Sequence, residues 1–331
     1  MKFKHKIDKF VSTLSERISS GGVSQLEVQA EGERDIFGNM PALARKAAAE
    51  GIVLLKNNNA LPYKLDTKIS VFGRCQLDYF YVGYGSGGDV NAPYFVNVID
   101  GIKNAGGHVN EWLLEYYKDF TKNNPAPHGF WGHWPMNFEE PSLDDKMIER
   151  ASEESDVALV VIGRAAGEDR ENTLTKGSYY LTDEERTLLD NVCNHFSNVT
   201  VLLDCGNIID MQWVLDYEER LRGIIYAWQG GMESGNAIAD VLFGRVNPSG
   251  RLTDTVAVRY EDYPSAMHFG NKLFNTYVED IFVGYRYFET FSKEKALFPF
   301  GYGLILILRF WISNLTMTKL RLKLGLRISA M

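Results

Sequence analysis

The stretch VALVVIGRAAGEDREN, residues 157–172, carries the strongest fold signal in the chain. Its first six residues are apolar without alternation, which is typical of a strand buried on both faces of a parallel sheet. Gly163 ends the apolar run, and five charged residues follow within the next eight positions. The pattern predicts a buried strand with a charged loop at its carboxyl end, where open parallel sheets bind ligands.

Apolar runs and helical patterns alternate on both sides of this stretch. Three further runs read as strands buried in a sheet, at 68–73, 199–206 and 223–231. Helical spacing covers 40–57 (broken at Gly51), 93–107, 142–155, 181–196 and 233–244. Strands and helices that alternate through short links indicate a mostly parallel sheet sandwiched by helices, the α/β class.

Two of these helices have recognisable starts. Thr182, with Glu185 three residues later, forms the sequence pattern of a capping box. Ser142 is predicted to begin the polar helix of 142–155, since acidic residues fill its first turn.

Composition excludes several classes of protein. Of the 331 residues, 45% are apolar and 24% are charged, as expected for a globular chain with a sizeable core. The net charge of −8 disfavours a nucleic-acid binder. No uncharged apolar run approaches the roughly 18–20 residues that span a bilayer, so no membrane segment is expected.

The cysteines and the start of the chain predict a cytoplasmic location. The three cysteines are odd in number and far apart, which is typical of small core residues in a reducing compartment. The first 20 residues are charged throughout and contain no apolar segment of a secretory signal. Five of the six histidines have no metal-ligand spacing, so we expect neither a metal nor a cofactor: His108, His128, His133, His195 and His268.

The glycine-rich segment GYGSGG places Gly83, Gly85 and Gly88 at the spacing of a dinucleotide-binding motif. That motif needs a strand directly before it and a helix directly after it. Here the predicted strand ends near Gly73, and the next helical pattern opens near Pro93. Three interpretations remain open: a dinucleotide site, a flexible loop at the sheet edge, and a ligand loop where backbone approaches closely.

Several segments together resemble the α/β sandwich domain of glycoside hydrolase family 3, whose members are mostly β-glucosidases. They include GYGSGGDV (83–90), GRAAGEDREN (163–172) and FPFGYGL (298–304). The remaining matching segments follow the family's order, at 44–62, 177–185, 228–255 and 277–290. The resemblance covers roughly 41–304 and implies that fold.

The resemblance also implies a role for the charged loop. Retaining glycosidases use a nucleophile and a proton donor about 5–5.5 Å apart. In many family members the proton donor is a Glu on a loop of the sandwich, and Glu168 matches it; Asp169 is the alternative acid. A solvated surface loop with internally paired charges is the competing interpretation.

Three further residues are predicted by the resemblance to contact a sugar. Ser86 matches the loop that enters the sugar pocket, and Gly85 beside it allows close approach. Tyr84, or alternatively Tyr81, is an aromatic side chain suited to the wall of the pocket, although ordinary packing explains a tyrosine equally well. The expected ligand is a small β-glycoside or oligosaccharide.

The chain departs from the family in two respects. We find no (β/α)8 barrel and no segment resembling the nucleophile. After 304 the family pattern is lost, and residues 304–331 hold five Lys or Arg and no Asp or Glu. We therefore expect a lead-in at 1–40, a sandwich domain at 41–304, and an aberrant or truncated tail at 305–331. The short lead-in resembles the branch of the family in which the sandwich precedes the barrel.

Three functions follow as hypotheses. The first is the half of a family 3 β-glycosidase that bears the acid, inactive by itself, with a barrel in trans or a second copy as partner. The second is a sugar-binding module without catalysis. The third is a nucleotide-binding α/β protein, which NAD or ATP binding would reveal.

Overall fold

The structure is a computed structural model that describes residues 38–85, 88, 90, 92–127, 133–168, 172–217, 219–271 and 273–306. Within these residues the helices are α1 Met40–Gly51, α2 Val98–Asn104, α3 Glu111–Asn123, α4 Asp145–Glu154, α5 Asp183–His195, α6 Ser234–Leu242 and α7 Tyr285–Phe291. The strands are β1 Val53–Asn57, β2 Lys68–Phe72, β3 His108–Val109, β4 Val157–Arg164, β5 Val199–Cys205, β6 Leu221–Tyr226, β7 Val256–Ala257 and β8 Ala296–Phe298.

Six strands form one sheet in the order β1-β6-β5-β4-β2-β3. The pairs among β3, β2, β4, β5 and β6 are parallel, and β1 joins β6 antiparallel at the edge. β7 and β8 form a separate antiparallel pair. The predicted mostly parallel α/β fold is confirmed, and the described part of the chain contains no (β/α)8 barrel.

The sheet separates two hydrophobic cores, and the apolar run of β4 contributes side chains to both. All eight residues of β4 are buried. Because strand side chains alternate, Ala158 and Val160 face one core, whereas Leu159 and Val161 face the other. Helices α3, α4 and α5 supply most of the helical side chains of the first core, and α2 and α6 those of the second. α1 packs against α6.

Two helices begin where a side chain can accept a free backbone N–H group. The predicted capping box is confirmed: the Thr182 hydroxyl accepts the N–H of Glu185 at 3.1 Å, and the Glu185 carboxylate accepts the N–H of Thr182 at 2.8 Å. The predicted start at Ser142 is wrong, because α4 begins three residues later. There the Asp144 carboxylate accepts the N–H of Met147 at 2.8 Å and caps the helix.

The strand order contains one reversal of direction. From β2 the chain crosses to β3 on one side, then returns to pair β4 on the other side of β2. The connections from β2 to β3 and from β4 to β5 therefore lead to opposite sides, which makes the pair β2 and β4 the switch point of the sheet. Such a switch point is where open parallel sheets bind ligands.

The described chain ends at the edge of the sheet. Leu304 bridges to Leu54 of β1, and Leu306 is buried, with its N–H donated to the side-chain oxygen of Asn247 at 2.7 Å. The boundary at 304 stays a prediction, because residues 307–331 lie outside the described chain. Among the described helices, none has the length and hydrophobicity that crossing a membrane requires.

Candidate functional site

The loop after β2 begins with a glycine that no other residue could replace. Gly73 has φ +91°, and a Cβ built on it would lie 2.1 Å from the carbonyl oxygen of Val161 in β4. The chain then makes a short 3₁₀ turn at Arg74–Gln76 against β4. This close approach directs the loop across the sheet edge towards β4, β5 and β6.

Residues Tyr79–Gly85, here called the glycine loop, lie across the carboxyl ends of β5 and β6. The side chain of Asp204, at the end of β5, accepts the N–H of Phe80 at 2.7 Å. The hydroxyl of Tyr79 donates to the carbonyl of Trp228, just after β6, at 3.3 Å.

A second bond from the turn after β6 fixes the middle of the glycine loop. The N–H of Gly231 donates to the carbonyl of Tyr81 at 2.8 Å. The glycine loop is therefore held by two strands remote from it in sequence.

The other side of the glycine loop pairs with residues Ala165–Glu168, here called the β4 loop. The N–H of Tyr84 donates to Ala166 O at 2.8 Å, and the N–H of Glu168 donates to Tyr84 O at 3.1 Å. Tyr84 and Gly167 form a parallel bridge. The two loops that the family resemblance assigns to a sugar site therefore lie side by side.

Gly85 makes the tightest contact between the loops. It is buried, with φ +113°, and a Cβ on it would lie 2.4 Å from Cβ and 3.1 Å from Oε2 of Glu168. Only glycine meets both conditions, since L side chains avoid this φ and no space remains for a methyl group. Gly85 thus sets how closely the loops approach.

Glu168 is exposed while its backbone is fixed by Tyr84. A carboxyl group held in this way can exchange a proton with a ligand bound against the paired loops. Ser86 and Asp169, the other predicted polar residues of the two loops, lie outside the described residues.

An aromatic cluster supports the glycine loop from below. The ring of Tyr84 stacks on Trp134, with centroids 5.6 Å apart and planes 9° apart, and meets Phe80 edge-on at 6.5 Å. Trp134 is buried, and Tyr84 is half-buried. The contacts of Tyr84 include ordinary packing, and its predicted place in the wall of a sugar pocket stays a prediction.

Tyr81, the alternative aromatic, is half-buried like Tyr84. Its ring stacks on Phe95 with centroids 5.0 Å apart, and its hydroxyl donates to the carbonyl of Val90 at 2.8 Å. Phe95 is 44% exposed, so this pair presents an aromatic face to solvent beside the glycine loop.

Arg164, the last residue of β4, pairs with α5 and not with the β4 loop. It is buried and forms a two-point ion pair with Glu185, with both N–O distances 2.6 Å. Burial opposes the charge on Arg164, but the Glu185 carboxylate outweighs burial and raises the pKa of the guanidinium. This charge is therefore neutralised away from Glu168, and it ties β4 to the start of α5.

The segment before α4 binds the starts of the loops that follow β2 and β4. The backbone of Met136 accepts the N–H of Ala165 at 2.8 Å. Both carboxylate oxygens of Glu140 accept the N–H of Arg74, at 2.8 and 2.9 Å. Burial, followed by repulsion from Glu185, raises the pKa of Glu140 to about 8.

Three residues of this site were not predicted from the sequence. Trp134 and Asp204 support the glycine loop as described above. Gln229, just after β6, donates to Arg164 O at 3.4 Å, and its Oε1 would lie 2.8 Å from a Cβ on Gly206. The available signal was that Asp204 and Gln229 follow apolar runs whose carboxyl ends meet at this edge of the sheet.

The dinucleotide interpretation lacks its structural requirement. The first α-helix after β2 begins at Val98, well beyond Gly83 and Gly85. The glycine loop pairs with the β4 loop and does not lead directly into a helix whose N-terminus could face a pyrophosphate.

Comparison with known proteins gives a consistent family. Residues 52–305 match the model of the glycosyl hydrolase family 3 C-terminal domain. The chain is 47% identical over 262 residues to a β-glucosidase of Ruminococcus albus, covering 79% of this chain and 28% of that protein. It is 37% identical over 290 residues to β-glucosidase A of Butyrivibrio fibrisolvens, covering 79% of this chain and 34% of that protein. The chain thus spans about a third of the length of these relatives.

Solved structures agree with the sequence comparison. The fold matches a β-glucosidase from Paenibacillus barengoltzii with a TM-score of 0.78 and 49% identity, covering 80% of this chain and 29% of that one. It matches β-glucosidase 3B from Thermotoga neapolitana, solved in complex with glucose, with a TM-score of 0.74 and 36% identity. The match covers 82% of this chain and 38% of that one.

Proposed function

The chain belongs to glycosyl hydrolase family 3, and we propose that it is the proton-donor half of a retaining β-glucosidase-like enzyme. The observation that carries this proposal is the contact between Gly85 and Glu168 at the switch point of the sheet. Two loops that could each bind a ligand meet there, and one of them presents a carboxyl group to solvent.

We assign Glu168 the role of general acid. Cleavage of a glycosidic bond leaves an alkoxide unless a proton reaches the leaving oxygen, and a positioned carboxylic acid supplies it. The bond from Glu168 N to Tyr84 O supports this role, because it fixes the backbone of the acid next to the glycine loop. After the leaving group departs, the same carboxylate accepts a proton from water.

The proposed substrate is a small β-glycoside or oligosaccharide. The relatives are β-glucosidases, and that of T. neapolitana has been solved with glucose. Gly85 and Ser86 would bring backbone and a hydroxyl group close to the sugar, with Tyr84 behind them. The described aromatic rim of Tyr81 and Phe95 is suited to the leaving group, because aromatic rings pack on sugar faces and other flat apolar groups.

We propose that a second domain supplies the nucleophile. The relatives are about three times as long as the matched region, which supports a larger enzyme with a (β/α)8 barrel in the same protein or in another chain. A strip of exposed apolar side chains is available for packing, within Met267–Val283. It comprises Met267, Phe269, Leu273, Phe274, Tyr277, Val278, Ile281 and Val283. An apolar area of this kind marks an interaction surface, and a second copy of the chain is the alternative occupant.

We further propose the cytoplasm as its compartment. All three cysteines are buried free thiols in the described chain, which suits a reducing environment.

The test uses a chimera in which residues 41–304 replace the matching region of the R. albus β-glucosidase. We expect the chimera to hydrolyse nitrophenyl β-glucoside and the isolated chain to bind glucose without turnover. A Glu168→Gln chimera should lose hydrolysis of alkyl β-glucosides, whose leaving groups need a proton, whereas Glu115→Gln, an exposed glutamate on α3, should retain it. Turnover by the isolated chain would refute the proposal that a second domain supplies the nucleophile. Sugar binding by a chimera that never hydrolyses would favour the binding-module alternative.

A further inference from the structure

Asp204 is a fully buried carboxyl group that the proposed reaction does not use. It lies near the end of β5, opposite Gly163 of β4 in the register. Arg164 stands opposite Cys205, one residue further, so its side chain projects from the other face of the sheet. The nearest strand cation therefore cannot pair with Asp204, and it is already bound to Glu185.

The two oxygens of Asp204 have unequal surroundings. Oδ2 accepts the N–H of Phe80 at 2.7 Å. Oδ1 is buried and has no hydrogen-bond partner among the described residues. An ionised oxygen without a donor is costly in a buried site, whereas a protonated one becomes a donor itself.

The titratable groups that interact with Asp204 are Tyr79, Cys75 and its chain neighbour Cys205, whose side chain projects from the other face of the sheet. Burial raises the pKa of each of these three side chains, so all remain neutral at physiological pH. None brings a positive charge to the carboxyl group. Burial likewise raises the pKa of Asp204 well above its ordinary value.

Tyr79 is the acceptor that suits a protonated Asp204. Its phenol lowers the pKa of Asp204, which opposes the larger effect of burial, but the phenol O–H donates to Trp228 O at 3.3 Å and leaves the Tyr79 oxygen free to accept. A proton on Oδ1 donated to the Tyr79 oxygen would complete a chain from Asp204 through Tyr79 to the backbone after β6. Both oxygens of Asp204 would then be satisfied.

We propose that Asp204 is a neutral carboxylic acid that positions the glycine loop. It is a positioning residue: it binds Phe80 and Tyr79 and, through them, holds the loop that ends in Gly85 against Glu168. The importance of this position for catalysis rests on the proposed function. The protonation state and its effect on the loop do not, because both can be measured on the chain itself.

The test compares wild type, Asp204→Asn and Asp204→Ala in the full chain, by urea unfolding from pH 5 to pH 9 and by hydrogen exchange at Phe80. Asparagine is neutral and keeps one acceptor and one donor, so D204N should protect the Phe80 amide as wild type does. D204A should raise its exchange rate about tenfold, the factor that corresponds to one lost hydrogen bond. Wild type should lose stability relative to D204N as pH rises, because a raised carboxyl pKa stabilises the fold only while the group stays protonated.

Asp240 provides a matched control. It is also buried, but it accepts two bonds from Arg45 at 2.6 and 2.7 Å and so requires its charge. Asp240→Asn should lower the urea midpoint at neutral pH, whereas D204N should not. The proposal would be overturned if D204N were less stable than wild type at every pH. It would also be overturned if the Phe80 amide exchanged as fast in D204N as in D204A. If D204A does not fold, the comparison of D204N with wild type decides. If the Phe80 amide is protected as expected but the chain does not bind sugar, this inference stands and the result counts against the proposed function alone.

Discussion

Gly85 and Glu168 touch across two loops that are 83 positions apart in sequence, with only 2.4 Å between Cβ of Glu168 and the position of a Cβ on Gly85. The relationship depends on a glycine with φ +113° and on the backbone bond from Glu168 to Tyr84. A small change at Gly85 must therefore displace the proposed acid.

Gly85→Ala tests this contact. Alanine at this φ costs about 1–2 kcal/mol, and the clash with Glu168 should add about 1–3 kcal/mol. Gly106→Ala is the matched control, because Gly106 has φ +80° but nothing within 4 Å of its Cβ position. Urea unfolding should show the larger loss for G85A, and glucose binding should weaken only in G85A. Equal losses in the two variants would mean that the loops do not press on each other.

The Arg164–Glu185 pair should be one of the most sensitive points of the fold. Its side chains are 1% and 5% exposed, and removing one partner leaves the other charge buried. Glu185→Gln should therefore cost about 3–5 kcal/mol in the free energy of unfolding.

The exposed pair Lys118–Glu115 gives the contrast, since Glu115→Gln should cost about 0–1 kcal/mol. Replacing both buried partners, as Arg164→Met with Glu185→Leu, should be milder than E185Q alone. An E185Q variant as stable as wild type in urea would contradict the buried pair.

The raised pKa of Glu140 predicts that the stability of the fold depends on pH in a specific way. Burial and Glu185 raise its pKa to about 8 in the folded chain, against about 4.3 in an unfolded one. Between these values the folded state holds a proton that the unfolded state has lost, so stability falls as pH rises. Glu140→Gln should remove this part of the decline, seen as a flatter plot of unfolding free energy from pH 5 to pH 8. Parallel wild-type and E140Q plots would show that Glu140 titrates normally.

The central strand and its loop could be predicted because their signals are local. Six apolar residues before Gly163 specify a buried strand whatever surrounds them, and the Thr182–Glu185 capping box lies within four residues. The parallel arrangement followed from the alternation of strands and helices. The position of Glu168 near the glycine loop followed from the family resemblance and from the geometry of strand ends.

What could not be predicted depends on contacts between distant residues. Asp204 binds Phe80 across 124 positions, and no local pattern distinguishes it from other polar residues at strand ends. Trp134 lies in an irregular segment whose role emerges only when Tyr84 stacks on it. In the sequence Arg164 stands next to the charged loop, but strand alternation directs its side chain into the core towards Glu185.

Protonation of the leaving group by Glu168 is tested most directly by kcat/KM of the chimera for β-glucosides with good and with poor leaving groups. Leaving groups that depart readily need little protonation, whereas general acid catalysis is worth about 10²–10⁴-fold for poor ones. Glu168→Ala should therefore slow hydrolysis of alkyl glucosides by that range and change the rate of dinitrophenyl glucoside far less, while Glu115→Ala changes neither. Equal slowing of both substrates by Glu168→Ala would contradict the claim.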